Sequence, residues 1–183
     1  MNHCQPLILV SACLVGEPVR YDGGHAQCRH PLLALWQAQG RLRIFCPEAA
    51  GGLATPRPPV EIGTGGDGYE VLMGAARVRD ASGGDATQAL LAGSRAAVDA
   101  ALHAGIRMAI LKDGSPSCGS GFIADGTFSG RRIARQGVTT AALQIAGVRV
   151  FSEHRLDEAA LFLEELEKSS PPHLRAQPRD WSI

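Results

Sequence analysis

Cysteine is the residue type in this sequence best equipped for chemistry, and five of them occur: Cys4, Cys13, Cys28, Cys46 and Cys118. A thiolate is both a nucleophile and a soft metal ligand. The odd number and wide spacing argue against a disulfide framework. No basic segment precedes the apolar stretch of MNHCQPLILVSACLVG, so no export signal is expected. A reduced, cytoplasmic setting is the expectation. It leaves three fates for each cysteine: a buried inert thiol, a metal ligand or a nucleophile.

Which fate applies depends on the elements that carry the thiols. The chain has 183 residues, 18 basic and 18 acidic side chains, 45% apolar residues and a formal net charge of zero. That is enough chain for one packed domain, with no excess basic charge for nucleic acid and no apolar run long enough to span a bilayer. Residues 7–12 form an apolar run that reads as a buried strand, with Cys13 at its C-terminal end. Residues 30–39 read as a helix with Pro31 in its first turn and Gly40 as its stop. A second strand spans residues 41–45 and ends at Cys46. Pro47-Glu48 and the segment GGLATPRPPVEI then read as irregular loop.

Gly63-Thr-Gly-Gly-Asp-Gly68 matches a phosphate-binding glycine pattern only superficially, and reads as a hairpin turn before a strand-like Tyr69-Glu-Val-Leu-Met73. Residues 85–104 are the clearest helix, with Asp85 as N-cap and Gly105 as stop. Strand three covers residues 106–111, a short helix residues 138–146, and a last strand residues 148–151. Residues 157–168 form an amphipathic helix before a proline-rich tail, residues 169–183. Strands alternating with helices predict a three-layer, Rossmann-like α/β domain with a mainly parallel sheet. The expected organisation is an α/β domain over residues 1–153. Residues 154–183 add a C-terminal helix and tail packed on it or extending from it.

Ligands of such sheets bind beyond the C-terminal strand edges. Cys13, Cys46 and Cys118 all come after predicted strands, the last after a seven-residue loop, so parallel neighbouring strands would deliver three thiols to one rim. Cys4 precedes the first strand and belongs near the opposite edge, and nothing requires Cys28 at the rim. Turns beside the three thiols expose backbone N–H groups, which are expected to lower their pKa values. Three thiolates have two metal readings. One is zinc with an open fourth position. The other is a 4Fe-4S cluster with one iron not held by protein. Spacing alone leaves both open.

The segments SACLVGEPVRYDGG, FCPEAAGGLATPRPPVEI, AILKDGSPSCGSGFIADGTFSG and GVTTAALQIAGVRVFSE, in that order from about Leu7 to Glu153, closely resemble the thiouracil desulfidase family. The resemblance implies an oxygen-sensitive 4Fe-4S cluster held by Cys13, Cys46 and Cys118, whose fourth iron binds the sulfur of the substrate. Two positions depart from the family pattern. Val19 stands where cysteine is frequent, and Ala124 stands where tyrosine is common.

The implied reaction is hydrolytic desulfuration of a thiolated pyrimidine, base or nucleoside, in which C=S becomes C=O and hydrosulfide leaves. It needs a thiophilic Lewis acid, a base for water and a proton donor. Glu48 is the expected base or proton shuttle. Ser115 and Ser117 are expected to orient the ring, and Lys112 to offset negative charge on the pyrimidine or a sulfide. Arg20 and Asp22 would support the first cysteine loop, and Thr55-Pro-Arg57 would be a rigid loop support. His25 and His30 read as surface or helix-start residues. The competing readings are a desulfidase of thiolated tRNA, a non-catalytic iron–sulfur binding or sensing module, and a zinc hydrolase. The balanced charge weighs against tRNA.

Overall fold

A computed structural model describes residues 5–169 of the chain. In chain order its first half holds β1 (Ile8–Ser11), a 3-10 turn (Ala12–Val15), α1 (Pro31–Ala38), β2 (Leu42–Phe45), α2 (Pro47–Ala50), β3 (Val60–Ile62), α3 (Gly68–Leu72) and β4 (Val78–Asp80). Next come α4 (Thr87–His103), β5 (Met108–Leu111), β6 (Ile123–Ala124), β7 (Arg132–Ile133), α5 (Val138–Ile145), β8 (Arg149–Ser152) and α6 (Leu156–Ser169). Cys4 and most of the proline-rich tail lie outside the described residues.

Four strands form one parallel sheet in the order β2-β1-β5-β8. All four residues of β1 and of β5 are buried, as continuous apolar runs require when helices cover both faces. Alternation along the strands sorts the core into two layers. Ile8, Val10, Met108, Ile110 and Phe151 meet Leu33 and Trp36 of α1 and Leu163 of α6. On the other face Leu9, Ala109, Leu111 and Val150 meet Ala97 and Ala101 of α4 and Leu143 of α5. The predicted three-layer arrangement with a parallel sheet is therefore present. Its winding direction reverses between β1 and β5, since the chain passes from β1 to β2 on one side and later returns to add β5 on the other. Such a reversal opens a crevice at the C-terminal edge.

The segment between β2 and α4 departs from expectation. Pro47–Ala50 is a helical turn rather than loop, and Val60–Ile62 of the supposed irregular segment is a strand paired antiparallel with β4. Residues 68–72 form a helix, not a strand: Asp67 accepts the Glu70 N–H while the Glu70 carboxylate accepts the Asp67 N–H. This reciprocal cap satisfies the first-turn donors that a strand would have left to a sheet partner. Asp125–Gly130 is a turn as expected, closing the small antiparallel pair β6–β7.

The helix α2 rests on α4 backbone to backbone. A Cβ on Gly93 would lie 1.9 Å from the Pro47 carbonyl oxygen, and one on Gly51 would lie 2.0 Å from that of Ala89. Neither neighbour is a movable side chain, so Gly93→Ala must push α2 off its seat. A loss of about 2–3 kcal/mol is expected, seen as a fall in melting temperature of roughly 5–10 °C. An unchanged melting temperature would refute this contact.

Candidate active site

Three adjacent strands, β2, β1 and β5, end at the same edge, and each hands its chain to a turn that carries a cysteine. Cys13 lies in the 3-10 turn directly after β1, which closes at Gly16 in the left-handed region (φ 98°). Cys46 is the N-cap of α2 directly after β2. Cys118 lies in the loop after β5. That loop is folded around Asp113, whose Oδ1 accepts the N–H groups of Ser120 (3.0 Å), Gly121 (3.0 Å) and Phe122 (3.2 Å). Gly119 is also required, since a Cβ there would lie 2.5 Å from the Phe122 carbonyl oxygen. The sheet thus brings together the three thiols selected from strand ends in the sequence.

The thiols are close enough to feel one another. Burial, then the neighbouring Cys46, pushes the Cys13 thiol up to about 11. Cys118 is raised well above the ordinary thiol range by burial, with Glu48, Cys13 and Cys46 adding to the effect. Burial also raises Cys46. The N–H groups of Ala49 and Glu48 at the start of α2 act against it, without closing a full cap hydrogen bond. The expected lowering by turn N–H groups is therefore overruled by desolvation. Two buried thiolates beside a third, half-buried one are costly unless a cation joins them.

Beside them opens a cavity of about 560 Å³, with Cys13, Cys118, Glu48, Lys112 and Ser115 in its wall. Glu48 has both carboxylate oxygens engaged. Oε2 pairs with the Arg57 guanidinium at 2.5 Å and Oε1 accepts the Ser115 hydroxyl at 3.0 Å. The Ser115 oxygen in turn accepts the N–H groups of Ser117 (3.0 Å) and Cys118 (3.1 Å), which fixes its proton on Glu48. Glu48 thereby ties the turn that carries Cys46 to the loop that carries Cys118, 67 residues further along the chain from itself to Ser115.

Ser117 does not face the cavity. It is fully buried and its hydroxyl bonds to that of Thr139 at 2.8 Å, because the chain must turn inward there to seat Cys118 against α5. A substrate-orienting role for Ser117 is thereby corrected. Lys112 does reach the cavity wall, and its Nζ pairs with Glu153 Oε1 at 2.5 Å and with the Asp113 carbonyl at 2.8 Å. Arg20 and Asp22 pair with each other at 3.5 Å. Arg57 is a support of the cavity wall: its side chain is 7% exposed and bonds to the Ala54 carbonyl and Thr55 hydroxyl as well as Glu48. Val19 and Ala124, the two departures from the family pattern, both line the cavity. His30 caps α1 through Leu32 N–H, and His25 accepts the Gln27 N–H, so neither is drawn to the site. Cys28 packs against the core between the sheet and α1, its N–H bonded to the Leu14 carbonyl.

Reading the sequence missed three contributors. Asp113 holds the Cys118 loop, a role its Asp-Gly turn signature hinted at. Glu153 comes directly after β8, so the strand-end rule applied to the fourth strand would have found it. Ser11, the last residue of β1, touches Cys118 through a buried hydroxyl, and nothing in its local sequence announces that.

Comparison with known proteins gives concordant matches. A profile of the 2-thiouracil desulfurase family matches residues 8–155. The uncharacterized protein YbbK of Bacillus subtilis (strain 168) is 44% identical over 152 residues, which cover 83% of this chain and 99% of that protein. The solved structure of the 4Fe-4S-dependent thiouracil desulfidase TudS superposes with a TM-score of 0.80 at 46% identity, covering 88% of this chain and 99% of the other. Among the described residues, no helix is long and apolar enough to cross a membrane.

Proposed function

Since this chain belongs to the 2-thiouracil desulfurase family, we propose that it replaces the thiocarbonyl sulfur of a thiolated pyrimidine by oxygen and releases hydrosulfide. The observation that carries this reading is the meeting of three thiols from adjacent strand ends, two of them in the wall of a cavity that a half-buried, doubly held carboxylate also lines.

The donor set fits a 4Fe-4S cluster. Three soft thiols, two buried and one half-buried, couple electrostatically, and among the described residues no three His, Cys, Asp or Glu side chains are arranged to share a single metal ion. A cubic cluster takes each cysteine on a separate iron, so its ligands need not converge on one point as zinc ligands must. Arg57 adds a buried Nε–H with no partner, a donor beside Cys46 and the cavity. Cys13, Cys46 and Cys118 would hold the cluster. When bound it supplies an iron free of protein ligands, a thiophilic Lewis acid for the substrate's sulfur.

The protein's own groups would do the proton chemistry. Water supplies the new oxygen, and the carbon keeps its oxidation state, so no electron donor is needed. Glu48 takes the proton of the attacking water, with Arg57 and Ser115 fixing its carboxylate toward the cavity. Lys112 places positive charge where the ring or the departing sulfide gathers negative charge, held by Glu153. The neutral chain favours a free thiolated base or nucleoside over tRNA, whose phosphates call for a basic surface.

The test is anaerobic reconstitution with iron and sulfide, and then addition of 2-thiouracil. Broad visible absorption that changes on adding substrate, with uracil and sulfide formed in equal amounts, is the expected result. A colourless, iron-free protein after reconstitution would remove the proposal.

A further inference from the structure

Ser11 closes β1 in the middle of the rim, and only 2% of it is exposed. Its Oγ accepts the backbone N–H of Lys112 at 3.0 Å and lies 3.6 Å from the Cys118 sulfur, to which it donates. A hydroxyl has one proton. With the Lys112 N–H on its lone pair, Ser11 has that proton free for sulfur, and both partners are set by the register of β1 against β5. Ser11 does not itself line the cavity, and it reaches the site through the Cys118 sulfur.

We propose that Ser11 is a positioning and tuning residue for the cluster ligand Cys118: its O–H···S hydrogen bond withdraws charge from the ligating sulfur and holds the bound cluster at a higher reduction potential. The inference rests on the cluster reading of this site. Hydrogen bonds to ligating sulfurs are among the protein's means of setting cluster potentials. A donor relieves negative charge on the thiolate, which favours the electron-richer, reduced state. The same contact acts on the free thiol, where it is the largest influence opposing burial. Cys46 faces the N–H groups of α2 and the Arg57 guanidinium instead of a hydroxyl, so the three ligands are not equivalent.

The experiment compares wild type, Ser11→Ala and Ser11→Thr, each reconstituted anaerobically and titrated with a mediated reductant while electron paramagnetic resonance tracks the reduced cluster. Ser11→Ala is expected to keep its visible absorption and shift its midpoint to more negative potential. Ser11→Thr, which retains the hydroxyl, is expected to return toward the wild type. A purely structural serine would alter melting and leave the midpoint where it was. Equal midpoints for wild type and Ser11→Ala, with clusters intact, would overturn the inference while leaving the cluster reading standing. Failure of the wild type to take up a cluster would overturn that reading instead. Should Ser11→Ala not hold a cluster, the wild type decides by resonance Raman in H₂O and D₂O. A deuterium-sensitive iron–thiolate stretch is expected, and its absence counts against the bond.

Discussion

Replacing any one of Cys13, Cys46 and Cys118 by serine is expected to abolish desulfuration of 2-thiouracil and to strip the protein of 4Fe-4S absorption, while Cys28→Ser keeps both. The three residues follow β1, β2 and β5, which are neighbours in one sheet; Cys13 and Cys118 line the cavity and Cys46 acts on Cys13 and Cys118 from beside them. A serine hydroxyl is a harder and less acidic ligand than a thiol, so it does not stand in for one on iron. Cys28 is bonded through its backbone and packs on the apolar core, so its substitution removes packing without a ligand. Iron content, visible absorption and circular dichroism on the same samples check the result. A folded Cys13, Cys46 or Cys118 variant with full iron content would overturn the ligand set, as would loss of iron from Cys28→Ser.

The second large effect belongs to Glu48. Glu48→Gln is expected to lower the desulfuration rate by about 10²- to 10⁴-fold, the usual contribution of a general base, with iron content unchanged. The amide keeps the shape and can still accept from Ser115, so the loss isolates the charge. The variant also leaves the Arg57 guanidinium, 7% exposed, without its carboxylate. That alone is expected to cost about 3 kcal/mol, so a thermal melt must accompany the kinetics and rates must be read well below the melting point. Ser115→Ala offers the comparison: it frees one oxygen of Glu48 but leaves the Arg57 pair, and a smaller rate loss is expected. Undiminished turnover in a fully loaded Glu48→Gln protein would reassign the base.

Much of this site is legible in the residues alone. Apolar runs alternating with helical segments predict parallel strands, and parallel strands deliver their succeeding turns to one edge, so Cys13, Cys46 and Cys118 can be grouped before any coordinates exist. The failures are local. Tyr69 to Leu72 looks like a strand by composition, yet Asp67 and Glu70 form a reciprocal cap that makes it a helix. The proline-rich stretch before it hides β3, which exists only because β4 arrives to pair with it 15 residues later. Loop direction is also beyond sequence reasoning: Ser115 and Ser117 are two residues apart, and one bonds Glu48 at the cavity while the other is sealed against Thr139. Partners far apart in the chain, such as Ser11 and Cys118, become visible only once the register of β1 on β5 is known.

The order β2-β1-β5 has a thermodynamic consequence. A zinc finger gathers its ligands from short, local spacings and can fold around its metal one module at a time. Here the three thiols come from three separate crossovers, and they share an edge only after β1 has been flanked on both sides. A partly folded chain offers at most two of them, so the proposed cluster is captured by the native sheet and not by its precursors. Mass action then works in the other direction. A ligand that binds only the native state stabilises it by RT ln(1 + [L]/Kd), and that linkage is spread over every strand needed to assemble the rim. Oxidative loss of the cluster would thus be felt as a lower free energy of unfolding of the whole domain, with no local weak point to mark where it was held.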